Sequence, residues 1–206
     1  MDLVLTVLLV QVLYVVMAFG VHSVRQARRT GSSGFVAHRE RGLLAKLAGA
    51  ALTTGLLLVL ATTALVDDRR WSATGSVGVA VMVTGLTVTL VAQRDLGLSW
   101  RIGVDPDERT ALVDRGLFAV VRNPFFTGTL LLAAGSVLAT PSALGAVGLL
   151  TAIVGILTQV VRLEEPALRR SHGQTYDAYV QRTGRFLPRV RPAVPASPTL
   201  GGRTTS

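Results

Sequence analysis

Two clusters of polar residues carry side chains that could do chemistry. In the first, Arg122 and Asn123 stand directly before Pro124, a residue suited to the first position of a helix. The free amide groups of such a helix start attract a carboxylate or a phosphate. In the second, Arg162, Glu164 and Glu165 follow one another closely. A carboxylate there can take both hydroxyl protons of a ribose or sit beside a cation. Phe118, Phe125, Phe126, Tyr176 and Tyr179 lie near these clusters in the chain and could stack on a planar base or an alkyl cation. A ligand with a carboxylate, a positive centre, a ribose and a purine matches this set, and S-adenosylmethionine has all four. A plainer reading stays open: Arg122 and Arg162 snorkel to the interface and pair with Glu164 and Glu165.

The elements that must position these residues follow from hydropathy. Between Arg122 and Arg162 lie 39 residues without a charge, broken by Thr140-Pro141-Ser142. That length makes two membrane helices and a tight turn, at ~20 residues per crossing. Both clusters then return to one membrane surface, where charges are costly and seldom idle. Further apolar runs cover Leu3–Val21, Leu47–Val66 and Trp71–Ala92, so with Pro124–Thr140 and Ser142–Val161 there are five expected spans. The expected fold is an all-α polytopic membrane bundle with a C-terminal helical hairpin and short cytoplasmic helices. A signal peptide fits residues 1–30 poorly, because Asp2 replaces the usual bases and no cleavage site follows. The chain has no cysteine, which excludes disulfides and thiolate metal sites, and no metal is expected.

Charge sets the orientation. Of 21 Arg and Lys, six lie in His22–Lys46, five in Gln93–Arg122 and eight from Arg162 onward. Only Arg69 and Arg70 fall elsewhere, beside Asp67 and Asp68. Alternating connections rich in bases read as cytoplasmic, which puts the N-terminus outside. The net charge of +9 is then topology and attraction to anionic lipid, without the basic–aromatic interleaving of a nucleic-acid binder. A composition rich in Arg, Ala, Val and Gly suggests a GC-rich bacterium, hence a bacterial cell membrane.

The chain reads as one domain in three stretches: three N-terminal membrane helices over 1–92, a cofactor-binding region over 93–189, and a disordered Pro/Ser/Gly-rich tail over 190–206. The first cytoplasmic loop is basic and Gly/Ser-rich, and Asp105-Pro106 marks a turn in the second. Gly145, Gly148, Ala152 and Gly155 form a small-residue stripe suited to close helix packing. Gln159, nearby, could reach the polar site or bond a neighbouring backbone group. Glu164-Glu165-Pro166 reads as a helix start that Gly173 ends, and Thr175 as the cap of a second short helix with Tyr176, Tyr179 and Val180 on one face.

The combination of Gly116, Phe118, Arg122-Asn123-Pro124, Phe126 and Gly128, then a hairpin, then Glu164-Glu165, Leu168, Gly173, Tyr176, Tyr179 and Arg185-Phe186-Leu187-Pro188 resembles the isoprenylcysteine carboxyl methyltransferase family and the related phospholipid-amine methyltransferases. The resemblance implies an integral membrane methyltransferase that takes S-adenosylmethionine from the cytoplasm and a lipophilic acceptor from the bilayer, with no obligate protein partner. It implies cofactor-binding roles for Gly116, Phe118, Arg122, Asn123, Pro124, Phe126, Gly128, Arg162, Glu164 and Tyr176. Glu165 would serve the ribose or the reacting centre, and Arg185 would orient the acceptor. Two departures stand out: Asn123 replaces the usual His, and Phe126 the usual Tyr. Asn123 cannot act as a base, which leans toward an already ionised acceptor such as a carboxylate. An amine acceptor would need Glu164 or Glu165 to remove its proton. Two rival readings are an NADPH-dependent sterol or polyprenol reductase, with Arg169, Arg170 or Arg182 on the 2′-phosphate, and a non-enzymatic membrane module.

Overall fold

The computed structural model describes residues 1–30, 42–67, 70–97 and 112–189. Asp105-Pro106, most of the first basic loop and the tail from Val190 lie outside the described residues. Helix α1 (Leu3–Val15) is capped by Asp2, whose Oδ1 accepts the Leu5 N–H at 2.7 Å. It runs through a π-helical turn, Val16–Val21, into α2 (His22–Thr30). Then come α3 (Leu43–Ala64) and α4 (Ala73–Leu96), the latter capped by Ser72. A 3₁₀ turn (Gly116–Ala119) leads to α5 (Pro124–Ala139) and α6 (Ala143–Thr158, capped by Ser142). The chain ends in α7 (Glu165–His172) and α8 (Gln174–Arg182). Among the described residues there is no strand, and the fold is the expected all-helical membrane bundle.

Among the described residues, four helical stretches are long and apolar enough to cross a membrane: Leu3–Arg25, Leu43–Ala64, Ala73–Leu96 and Ala143–His172. The fifth, α5, has 16 residues and reaches only ~24 Å at the α-helical rise, so it is the short member of the bundle. Boundaries differ from the hydropathy reading at two useful places. Helix α3 begins at Leu43, so Lys46 lies on the helix. Helix α4 runs past Ala92 to Leu96, so Gln93, Arg94 and Asp95 are helical too.

The expected helix start at Glu164–Pro166 is replaced by a continuation. Helix α6 passes through a second π-helical turn, Gln159–Glu164, straight into α7, and Glu164 stays helical at φ −72°, ψ −52°. Pro166 has no N–H to give, and its ring crowds the carbonyl four residues back; the wider π turn is a way to carry a helix past such a residue. The real break is Gly173, in the left-handed region at φ 52°. Gly173 also precedes α8 directly, so Thr175 lies inside that helix and does not cap it.

Glycine faces set the packing. A Cβ on Gly85 would stand 2.5 Å from the Gly128 carbonyl oxygen, and one on Gly78 would stand 2.6 Å from that of Gly135, which welds α4 to α5. Helix α3 meets α6 in the same way: a Cβ on Gly55 would lie 2.5 Å from the Gly148 oxygen, and one on Gly155 would lie 2.5 Å from Leu52 N. In lipid, where helices gain nothing by hiding apolar surface, such backbone approach supplies the attraction. The Gly145–Gly155 stripe is therefore a packing face. Helix α1 lies against this frame through Leu3, Val7, Met82 and Ala139, and through Tyr14, Ala18, Leu86 and Leu132. Buried polar bonds join it: Gln11 to Thr63 at 3.3 Å, Tyr14 to Thr129 at 2.6 Å, and the Gln93 amide to the Ala18 carbonyl at 2.6 Å.

Candidate functional site

The site is assembled where α5 begins. Just before it, the Arg122 N–H donates to the Gly184 carbonyl at 2.8 Å, the Asn123 N–H to Arg185 at 3.1 Å, and the Gly184 N–H to Val120 at 3.1 Å. The chain leaving α8 thus lies parallel to residues 120–123, with Val121 and Gly184 forming a β-bridge. This strap continues over α5: the Asn123 side chain also donates to Arg185 O at 3.2 Å, and the Thr127 hydroxyl to Phe186 O at 2.8 Å.

Under the strap, Arg122 joins three segments. Its Nη1 donates to the carbonyls of Thr183 at 2.6 Å and Val180 at 3.3 Å, groups that α8 leaves without helical partners at its end. Its Nη2 donates to Glu165 Oε1 at 3.3 Å. Arg185 grips the same carboxylate as a fork, Nε to Oε1 at 2.8 Å and Nη2 to Oε2 at 2.9 Å. The Arg122 and Glu165 side chains are only 9% and 12% exposed, against 41% for Arg185. One donor remains: Arg122 Nε is buried without a partner among the described residues. Such a group costs free energy until something accepts its proton.

Helix α8 closes the cluster. The Tyr179 hydroxyl donates to the Phe118 carbonyl at 2.8 Å, and both rings are buried. Tyr176 is buried beside Tyr179, their centroids 6.0 Å apart. Outside them Arg169 and Arg182 lie over the two rings at 5.8 and 5.6 Å and pair with Asp177 and Asp114. Burial, with the Glu165 charge second, pushes the Tyr176 phenol up to about 12, and burial pushes Tyr179 up as well. An unfolded phenol begins to ionise near 10.0, and the folded one holds its proton to about 12. Stability present below the first value is therefore lost as pH rises through the second. Thermal unfolding in detergent between pH 9 and 12 should show that loss, and Tyr176→Phe should lose less over the same range.

The other expected site residues divide clearly. Glu164 accepts the Gln159 amide at 3.4 Å, so Gln159 does reach the polar cluster. Phe126 is half-buried and stands edge-to-face with Phe125, which meets Phe19 likewise. Pro124 is buried at the first position of α5. Arg162 is exposed. Gly128 lies in the seam with α4, against Gly85 and Thr89, where it permits helix contact. Gly116 is left-handed at φ 59° and abuts Asp95. Sequence reasoning missed the α8 carbonyls, Asp95 and Asp114. No spacing rule announces a backbone carbonyl as a partner, and the acids are separated from their partners by a loop for Asp95 and by the whole hairpin and α7 for Asp114.

The family model for phospholipid methyltransferase matches residues 73–175, half of the chain. The chain belongs to the phospholipid methyltransferase family. The match runs from the start of α4 into α8 and contains Arg122, Asn123, Glu164 and Glu165. Arg185 and the rest of the strap lie beyond it. No curated protein matches the chain. Family membership implies a methyltransferase embedded in a membrane.

Proposed function

We propose that the protein transfers a methyl group from S-adenosylmethionine to a lipophilic acceptor dissolved in the bilayer, at the cytoplasmic face of a bacterial cell membrane. The observation that carries this reading is the buried Arg122 guanidinium, with Nε still unpartnered, directly before the first turn of α5. Arg122 Nε and the α5 amides suit a carboxylate such as that of the methionine moiety. Glu164 is the acceptor for ribose hydroxyls, and the half-buried Phe126 ring offers a face to the base. Phe118 and Tyr176, already packed, support that site from beneath. Bound there, S-adenosylmethionine supplies a methyl carbon whose bond to sulfur breaks as the acceptor lone pair attacks in line. The protein's part is to align the two, which supplies roughly 7–11 kcal/mol in well-oriented reactions, and to keep water out while charge is lost. Asn123 offers an amide where a base would be needed for a protonated amine, which favours an ionised acceptor. Arg185 can release Glu165 and hold an acceptor carboxylate in the same planar fork.

Thermal shift of detergent-purified protein tests the cofactor. S-adenosylmethionine or S-adenosylhomocysteine at 100 times its Kd should add about 2.7 kcal/mol to stability. Stabilisation by NADPH alone would overturn the reading. For the orientation, reporter fusions at Ser33 and Ser206 should both read cytoplasm and one at Asp68 should not; a cytoplasmic Asp68 would reverse the arrangement. Arg185→Lys should leave cofactor affinity nearly intact yet lower turnover strongly, since an ammonium cannot reproduce the fork. Arg189→Lys is the matched control. Arg189 donates through Nη1 to the Gln181 carbonyl at 2.9 Å and the Val180 carbonyl at 3.5 Å, contacts from one nitrogen that a Lys ammonium can make. Equal methylation rates for the two variants would remove Arg185 from acceptor binding.

A further inference from the structure

Asp95 sits in the last turn of α4, outside the ion-pair cluster. An acid at a helix C-terminus opposes the helix dipole, so its place needs a compensating partner. That partner is the 3₁₀ turn: Asp95 Oδ2 accepts the Leu117 N–H at 2.8 Å. Gly116 lies so close that any Cβ there would overlap the Asp95 carboxyl group. Its φ of 59° is also one that side-chain-bearing residues seldom adopt. Space and torsion thus both press the turn onto Asp95. From this anchor the backbone is bonded step by step. Phe118 N–H reaches Arg115 O at 3.1 Å, and Val121 N–H reaches Leu117 O at 3.0 Å. Phe118 O takes the Tyr179 hydroxyl, and Arg122 follows at once. We propose that Asp95 is a positioning residue: by holding the Gly116–Val121 turn against α4, it sets where Arg122 and Asn123 stand for ligand binding.

The proposal rests on the methyl-transfer reading for the ligand but not for the anchor, and two readouts separate them. The first is cofactor affinity, measured by calorimetry on the full chain in detergent. Asp95→Ala should raise the Kd for S-adenosylmethionine about tenfold, as expected for one lost bond to a charged group. Asp95→Asn keeps an oxygen acceptor and should stay within about threefold. Gly116→Ala displaces the same carboxylate, so the double variant Asp95→Ala/Gly116→Ala should be no worse than the worse single one. The second readout is amide hydrogen exchange at Leu117 and Arg122, which reads the anchor whatever the site binds. Exchange should quicken at both in Asp95→Ala and stay slow in Asp95→Asn. Losses that multiply in the double variant would overturn the proposal. So would Asp95→Asn behaving as badly as Asp95→Ala, or unchanged exchange in Asp95→Ala. If wild-type protein binds no S-adenosylmethionine, the methyl-transfer reading fails, and the exchange result alone decides the role of Asp95.

Discussion

Glu165→Ala should destabilise the protein by roughly 3–5 kcal/mol, the cost of leaving one partner of a buried ion pair behind. The removed carboxylate holds Arg122 and Arg185 together, and Arg122, 9% exposed in the intact protein, would be left with its charge uncompensated. Glu165→Gln should lose less, because the amide oxygen still accepts from one guanidinium. Both variants should abolish methyl transfer, since either loosens the strap over α5. Thermal unfolding in detergent gives the first number and a methyl-labelled cofactor with a membrane extract gives the second. Glu164→Ala is the comparison: Glu164 accepts the Gln159 amide at 3.4 Å, and its loss should show in weakened cofactor affinity. A loss below ~1 kcal/mol for Glu165→Ala, the range of an exposed ion pair, would mean that Arg122 has water or another partner available.

The second large effect belongs to the α4–α5 seam. Gly85→Leu should prevent the protein from accumulating in membranes, or cost at least the ~1–3 kcal/mol typical of overpacking. A Cβ at that place would stand 2.5 Å from Gly128 O and 2.6 Å from Leu132 N, both backbone atoms that cannot turn aside. The two helices must separate, and with them go Asp95 at the end of α4 and Asn123 at the start of α5. Gly49→Leu is the control, with nothing within 4 Å of its would-be Cβ. It should be neutral or slightly stabilising, because Leu is the better helix former. Equal accumulation of both variants, judged by size-exclusion profile, would show that the seam can open without consequence.

These expectations show what the sequence carried and what it did not. The hairpin was legible because an uncharged run interrupted by Thr140-Pro141-Ser142 is a one-dimensional signal with few three-dimensional solutions. The stripe on α6 was legible as a packing face, but not its partner, since Gly55 reads like any other glycine of an apolar helix. The polar residues were legible as a group, and the plainer reading already set Arg122 and Arg162 against Glu164 and Glu165. The structure pairs Arg122 with Glu165 across 43 residues, and adds Arg185, 20 residues further on, which no spacing tied to that carboxylate. Pro166 suggested a boundary because a helix normally begins at such a residue, whereas the π turn lets α6 carry on into α7. The break fell at Gly173, where the backbone torsion itself demanded it.

The strap of residues 183–186 has a consequence for the order in which the protein comes into being. Synthesis runs from the N-terminus at ~5–20 residues per second. All the apolar helices leave the ribosome before the strap does. Arg122 must therefore wait, within the nascent chain, for a carboxylate that comes 43 residues later and for carbonyls that come 58 and 61 residues later. The bundle can enter the bilayer first, and the site can close only afterwards. A chain released just after His172 would keep every apolar helix and still lack α8 and the strap, so its insertion would say nothing about its competence.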